Sequence, residues 1–242
     1  MTDDLPDREP DLPSAFLDIP GVRNFRDAGG VGALRKGVLY RSGSFHNLAP
    51  EGAQRLKALG LRTVIDLRSP VELEVWPDLR HGLDHETLNL PTLPANREDT
   101  DRPWPEDQET LYPFMAETAG PSLVAAIRRL GTPGGVPAVV HCAVGKDRTG
   151  LTIAVVQSLL GASDADITAD FLLSNAGLGL LDGPTPYLDE TGTERVSRPV
   201  SAPLLASSLA WIRTHHGSVP AYLRSHGTTE ADLTALRTNL SA

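Results

Sequence analysis

The segment that most limits what this chain can become runs from Ala138 to Leu160. Ala138-Val139-Val140 reads as a buried strand and Leu151–Leu160 as a helix. Between them lies His141-Cys142-Ala143-Val144-Gly145-Lys146-Asp147-Arg148-Thr149-Gly150. A strand that passes through a tight loop into a helix aims backbone N–H groups and the positive end of a helix dipole at one point, which makes an anion site. Cys142 is the only cysteine among 242 residues. In such a site its thiolate is stabilised and becomes a nucleophile. Arg148, after five intervening residues, completes a cradle suited to a phosphate group. Buried cysteines commonly act as small hydrophobes. The joint spacing of cysteine, arginine and Thr149 between strand and helix points to catalysis instead.

Composition removes several alternatives. A single cysteine excludes an intrachain disulfide or a cysteine-rich zinc site and favours a reducing compartment. The net charge of −9 argues against a nucleic-acid partner. Charge is uneven: residues 21–62 hold eight Lys/Arg against Asp27 and Glu51, whereas residues 63–120 hold four against thirteen Asp/Glu. A basic segment in an acidic protein suits the border of an anionic substrate site, although a solvated helix face explains it equally well. Residues 1–20 carry six acids and four prolines and lack the basic start and apolar core of a signal peptide. No apolar run approaches the roughly 20 residues of a membrane span. The expectation is a cytoplasmic protein without a stable membrane anchor, with export by a route lacking a classical signal left open.

Residues 1–18 read as an acidic, proline-rich mobile tail and 19–242 as one domain. Val38–Tyr40, Thr63–Leu67 and Thr87–Leu90 read as strands. Pro50–Leu59, Leu111–Ala119, Ser122–Leu130, a segment from Ser163 to Leu173, Pro203–His215, Pro220–His226 and Thr229–Leu240 read as helices. Residues 91–109 form a long irregular loop and 177–200 a surface loop or lid. Strands alternating with helices predict an α/β domain with a mainly parallel central sheet flanked by helices, whose ligand site lies at the carboxyl end of the strand ending near His141.

Competing motifs fail. Val140 stands where a nucleotide P-loop needs glycine, and Asp147 replaces its magnesium-binding Ser/Thr. Gly29-Gly30-Val31-Gly32 lacks the rest of a dinucleotide fingerprint, and the histidines have no metal-ligand spacing. No metal or cofactor is expected.

HCAVGKDRTG resembles the signature of the cysteine-dependent protein tyrosine phosphatase superfamily. Asn24-Phe25-Arg26-Asp27, Tyr40-Arg41-Ser42, Val64-Ile65-Asp66-Leu67-Arg68-Ser69, Ala169–Asn175 and Tyr222-Leu223-Arg224 are similar to the bacterial subgroup typified by mycobacterial protein tyrosine phosphatase B, from about Gly21 to Leu240. The 177–200 stretch looks shorter than that subgroup's helical lid.

The resemblance and the local chemistry imply two-step hydrolysis through a cysteinyl-phosphate. Cys142 is the nucleophile. Amides of Ala143, Val144, Gly145, Lys146, Asp147 and Arg148 hold the phosphoryl oxygens, and the Arg148 side chain grips two of them. Thr149 stabilises the thiolate and His141 orients the loop. The subgroup's Lys-Asp-Arg order suggests Asp147 as general acid, over Asp99, Asp101, Glu106, Asp107 and Glu109 of the acidic loop. Asp66 is the reserve, read first as a structural partner for an arginine such as Arg26 or Arg68. Lys146 suits substrates with extra phosphates, so a lipid headgroup or small phosphate ester joins phosphotyrosine protein as a candidate partner. A sulfurtransferase and an inactive phosphopeptide-binding module are the remaining rivals. The first is disfavoured by Arg148-Thr149-Gly150, the second by the intact thiol.

Overall fold

A computed structural model describes residues 15–94, 100–189 and 191–241. In chain order the elements are β1 (Arg26–Asp27), β2 (Leu39–Ser42), α1 (Pro50–Ala58), β3 (Thr63–Asp66), α2 (Pro70–Val75), β4 (Glu86–Asn89), α3 (Gln108–Thr118), α4 (Gly120–Gly131) and β5 (Ala138–His141). There follow α5 (Asp147–Leu159), α6 (Asp164–Gly177), β6 (Thr185–Leu188), β7 (Glu194–Ser197), α7 (Ala202–His216), α8 (Val219–Ser225) and α9 (Glu230–Leu240).

The central sheet has the order β1-β2-β5-β3-β4. β5 pairs in parallel with β2 on one side and β3 on the other, β3 pairs in parallel with β4, and only β1 is antiparallel, against β2. The mainly parallel α/β sheet expected from the alternating pattern is therefore present. β5 lies at its centre, buried along its whole length, and a continuous apolar run is what a strand covered on both faces requires. Its side chains alternate between two apolar layers: Ala138 and Val140 join the larger core with α3 to α9, while Val139 joins Phe25, Phe45, Leu48 and Leu56 on the α1 face. Packed on both faces, β5 has no freedom to shift the loop that follows it.

Beyond β1 and α2, for which no element was expected, three further stretches differ. Residues 177–200 hold an antiparallel hairpin, β6–β7, in register from Thr185↔Ser197 to Leu188↔Glu194. β7 is almost wholly exposed, so no buried apolar face announces it in the sequence. Helix α5 begins at Asp147, before the apolar pattern of Leu151 starts. Residues 15–18 join the sheet edge: the Leu17 amide donates to the Phe25 carbonyl, and Phe16 bridges Arg26. The rest of the expected tail, 1–14, lies outside the described residues. Among those described, no helix is long and apolar enough to cross a membrane.

Candidate active site

The loop from Cys142 to Lys146 is shaped by what holds its carbonyls. The Ala143 carbonyl accepts from the Ser44 amide (3.1 Å). Asn24 Nδ2 donates to Gly145 O (2.9 Å) and Val144 O (3.4 Å), and Arg41 Nη2 donates to Gly145 O (3.2 Å) and Lys146 O (3.5 Å). Among the described residues, no backbone carbonyl accepts from the amides of Ala143, Val144, Gly145 or Lys146. Peptide planes whose carbonyls point outward present their N–H groups inward, into the cleft.

Gly145 makes the turn possible. Its φ is +72°, and a Cβ there would sit 2.3 Å from the backbone of Ser42, so the loop presses against the end of β2 at a point that admits no side chain.

Behind the loop lies a buried polar layer. Arg26 and Arg41 share the carboxylate of Asp170 on α6, at 3.4 and 2.7 Å. Arg26 also donates to the Asn24 side chain and to Ser174. Burial, with Arg41 nearby, lowers Arg26 to about 9 even though Asp170 opposes the shift. Arg26 therefore pairs with Asp170, not with Asp66; it supports the loop at one remove, through Asn24. Asp66 pairs with Arg68 (2.7 Å) and lines neither cleft beside Cys142, which leaves it structural.

Cys142 is a free thiol, 2% exposed. Burial pushes its thiol up, but the Arg148 guanidinium and hydrogen bonds from the Thr149 hydroxyl and amide outweigh this, so it lies below the ordinary value. The buried Thr149 hydroxyl makes no other hydrogen bond among the described residues, so its effect on the thiol is the one role the structure gives it. His141 sits beneath the loop, stacked on Phe45 at 5.3 Å, with Nε2 3.1 Å from Asp78 and Nδ1 3.7 Å from Asp66. Burial pulls its pKa down, the two carboxylates push it up, and the net shift is upward. Asp66, Asp78 and His141 lie within metal-chelating distance of one another. Arg68 already occupies both carboxylates, at 2.7 and 2.8 Å, so a cation stands where a metal would.

The sequence reading missed Glu72. It accepts both terminal nitrogens of Arg148, Nη1 at 2.6 Å and Nη2 at 2.7 Å. Burial raises the Glu72 carboxyl, but Arg148 and the Ser69 cap bring it down to about 2. Burial lowers Arg148 and Glu72 more than reverses this, holding the guanidinium charged. Ser69 caps α2 in a reciprocal capping box with Glu72, so one carboxylate closes a helix and aims an arginine. The Ser-x-x-Glu spacing was the available signal.

Lys146 differs from expectation. It is 4% exposed, and its Nζ donates to the Arg198 carbonyl just beyond β7 at 2.7 Å. It ties the hairpin to the loop instead of standing free for a second phosphate. Asp147, in the first turn of α5, accepts from the Tyr112 hydroxyl (2.6 Å) and stands 3.7 Å from Lys146 Nζ. Of the acidic-loop candidates, Asp107 caps α3 by accepting from the Thr110 amide (2.8 Å), and Asp99 lies outside the described residues. A cleft of about 660 Å³ opens over Cys142, Asp147 and Arg148, with Trp104 and Tyr187 of β6 among its lining residues.

A cysteine and an arginine in an amide-lined loop, delivered by the central strand of a mainly parallel sheet, define a protein built to work on phosphate monoesters. Residues 17–242 match the tyrosine phosphatase family, and the chain belongs to that family. It is 28% identical to the triple specificity protein phosphatase PtpB of Mycobacterium tuberculosis, over 92% of this chain and 98% of that one. It is 31% identical to a Cupriavidus necator protein provisionally named a tyrosine-protein phosphatase, over 89% and 85%. A tyrosine-protein phosphatase of Nostoc commune is 24% identical, over 86% and 76%. The chain is thus a phosphoric monoester hydrolase of the protein-tyrosine-phosphatase type.

Proposed function

We propose that this enzyme removes phosphate from phosphotyrosine in proteins through a cysteinyl-phosphate intermediate. The Cys142 thiolate attacks phosphorus, the P–O bond to the tyrosine oxygen breaks, and a P–S bond forms. Asp147 gives its proton to the departing oxygen. Water then attacks phosphorus, its proton returns to Asp147, and the P–S bond breaks to restore the thiolate. Amides from Ala143 through Arg148 and the Arg148 guanidinium hold the equatorial oxygens, most strongly as charge spreads in the transition state.

The observation that carries this reading is the bidentate Glu72–Arg148 pair, which keeps a planar cation at the loop that holds the thiol. The aromatic walls at Trp104 and Tyr187 suit a phenyl ring. The reading of extra-phosphate substrates rested on Lys146, and its bond to Arg198 argues against that preference. A lone reduced thiol suits a cytoplasmic setting, and residues 19–242 are proposed as the catalytic domain. The test is phosphate release from a phosphotyrosine peptide, a phosphoserine peptide and a phosphoinositide by wild type and Cys142→Ser. Release from the phosphotyrosine peptide well above the other two, abolished in Cys142→Ser, is expected. Equal rates for wild type and variant would overturn the mechanism.

A further inference from the structure

Tyr112 lies in α3, far from the signature in sequence, and is wholly buried. Its ring packs edge-on to Phe171 at 6.0 Å, and its hydroxyl reaches Asp147 Oδ1 at 2.6 Å. This is the one hydrogen bond of the Tyr112 hydroxyl among the described residues, and its single proton goes to Oδ1 when Asp147 is ionised and equally when the acid proton sits on Oδ2. The other oxygen, Oδ2, lies 3.7 Å from Lys146 Nζ.

We infer that Tyr112 is a positioning residue for proton transfer: it reserves Oδ1 of Asp147 as an acceptor and so fixes Oδ2 as the oxygen that carries the proton to the departing tyrosine oxygen. The inference rests on the reading of Asp147 as general acid given above. When Asp147 is protonated, Tyr112 donates to its carbonyl-type oxygen and Oδ2–H faces the leaving group. Once the proton has moved, the same hydroxyl and Lys146 flank the new carboxylate, which is then set to take a proton from the attacking water. Burial and the neighbouring Asp147 charge raise Tyr112 well above an ordinary phenol, so the donor keeps its proton across the working pH range. The Ser208 hydroxyl donates to the Tyr112 carbonyl at 2.7 Å, fixing this turn of α3 against α7.

The experiment compares phenyl phosphate, whose leaving group needs a proton, with 2,4-dinitrophenyl phosphate, whose leaving group does not. Tyr112→Phe keeps the ring and removes the hydroxyl. Its kcat/KM, which reports the steps up to cleavage of the P–O bond and not the hydrolysis common to both substrates, is expected to fall about tenfold with phenyl phosphate and less than about twofold with 2,4-dinitrophenyl phosphate. Asp147→Asn shows the same split, more strongly. The double variant loses no more than Asp147→Asn alone, because Tyr112 acts only through that carboxyl group. Equal losses on both substrates, or losses that multiply in the double variant, would mean a merely structural tyrosine and overturn the inference. If Asp147→Asn itself shows no leaving-group dependence, the general-acid reading fails, and the role of Tyr112 fails with it. A split in Asp147→Asn without one in Tyr112→Phe removes only the role of Tyr112. Circular-dichroism melting of each variant confirms that folded protein is being compared.

Discussion

Glu72 holds both terminal nitrogens of Arg148, at 2.6 and 2.7 Å, although the two residues lie 76 positions apart in the chain. A guanidinium fixed in one plane by a carboxylate has its remaining donor edge set in direction before substrate arrives, so little ordering is left to do in the transition state. Glu72→Gln is expected to lower kcat/KM for an aryl phosphate about 10- to 100-fold, since small displacements of a charged clamp are costly. Steady-state kinetics with vanadate inhibition as a second readout checks this: weaker inhibition should accompany the loss.

The same carboxylate makes stability depend on pH in the acid range. Glu72 titrates near 2 in the folded protein against an ordinary 4.5. A depressed folded value means its contribution is fully present above pH 4.5 and is lost as pH falls from there towards 2, by about 3 kcal/mol at most. Urea unfolding of wild type and Glu72→Gln at a series of pH values should show the wild type's advantage shrinking over this window and unchanged above it.

The Cys142 thiol ionises below the ordinary thiol range, for the reasons of charge and hydrogen bonding at Arg148 and Thr149. Iodoacetate inactivation followed against pH should therefore reach half its maximal rate below the ordinary value of 9.0. Thr149→Ala should move that midpoint up, because removing the hydroxyl takes away a donor to the thiolate. An unmoved midpoint would assign the shift to Arg148 and the Thr149 amide, without the hydroxyl.

Asn24 has φ of +57°, a left-handed conformation that asparagine tolerates better than most residues, and it holds two loop carbonyls. Asn24→Ala should lower stability by about 2 kcal/mol and reduce kcat more than KM, as the amides lose their common aim. Thermal melting and initial rates separate the two effects.

Lys146→Met cuts the tie between the loop and Arg198. Limited proteolysis within 185–197 is expected to speed up, and KM for a phosphotyrosine peptide to rise about threefold, on the scale of one lost hydrogen bond. An unaltered cleavage pattern would mean that other contacts hold the hairpin.

The parts of the fold legible in the sequence were those whose periodicity reports burial. Ala138-Val139-Val140 and Thr63-Val64-Ile65 are continuous apolar runs because both their faces are covered. What the sequence hid depends on pairs distant along the chain. β1 has only two residues, one of them a buried arginine balanced by Asp170, and no local pattern marks such a strand. β6 and β7 stabilise each other at the surface, so their alternation carries no apolar stripe. At the site, Cys142, Arg148 and Asp147 were readable because their spacing is contiguous. Glu72 and Tyr112 reach the same few ångströms from α2 and α3, and only the fold brings them there.

The β6–β7 hairpin forms its own two-stranded sheet, separate from the five-stranded one, yet it supplies one wall of the cleft over Cys142. The thiol and its arginine thus belong to one structural unit, and Tyr187, which shares their cleft, to another. Cys142 and the loop around it are embedded in the core, where almost any change is felt throughout, while the hairpin lines the cleft from the surface, tied to the loop in part through Lys146. Segments of other length or sequence grafted between Gly183 and Pro199 can reshape what enters the cleft without retuning the nucleophile, making this hairpin the natural place to engineer substrate range.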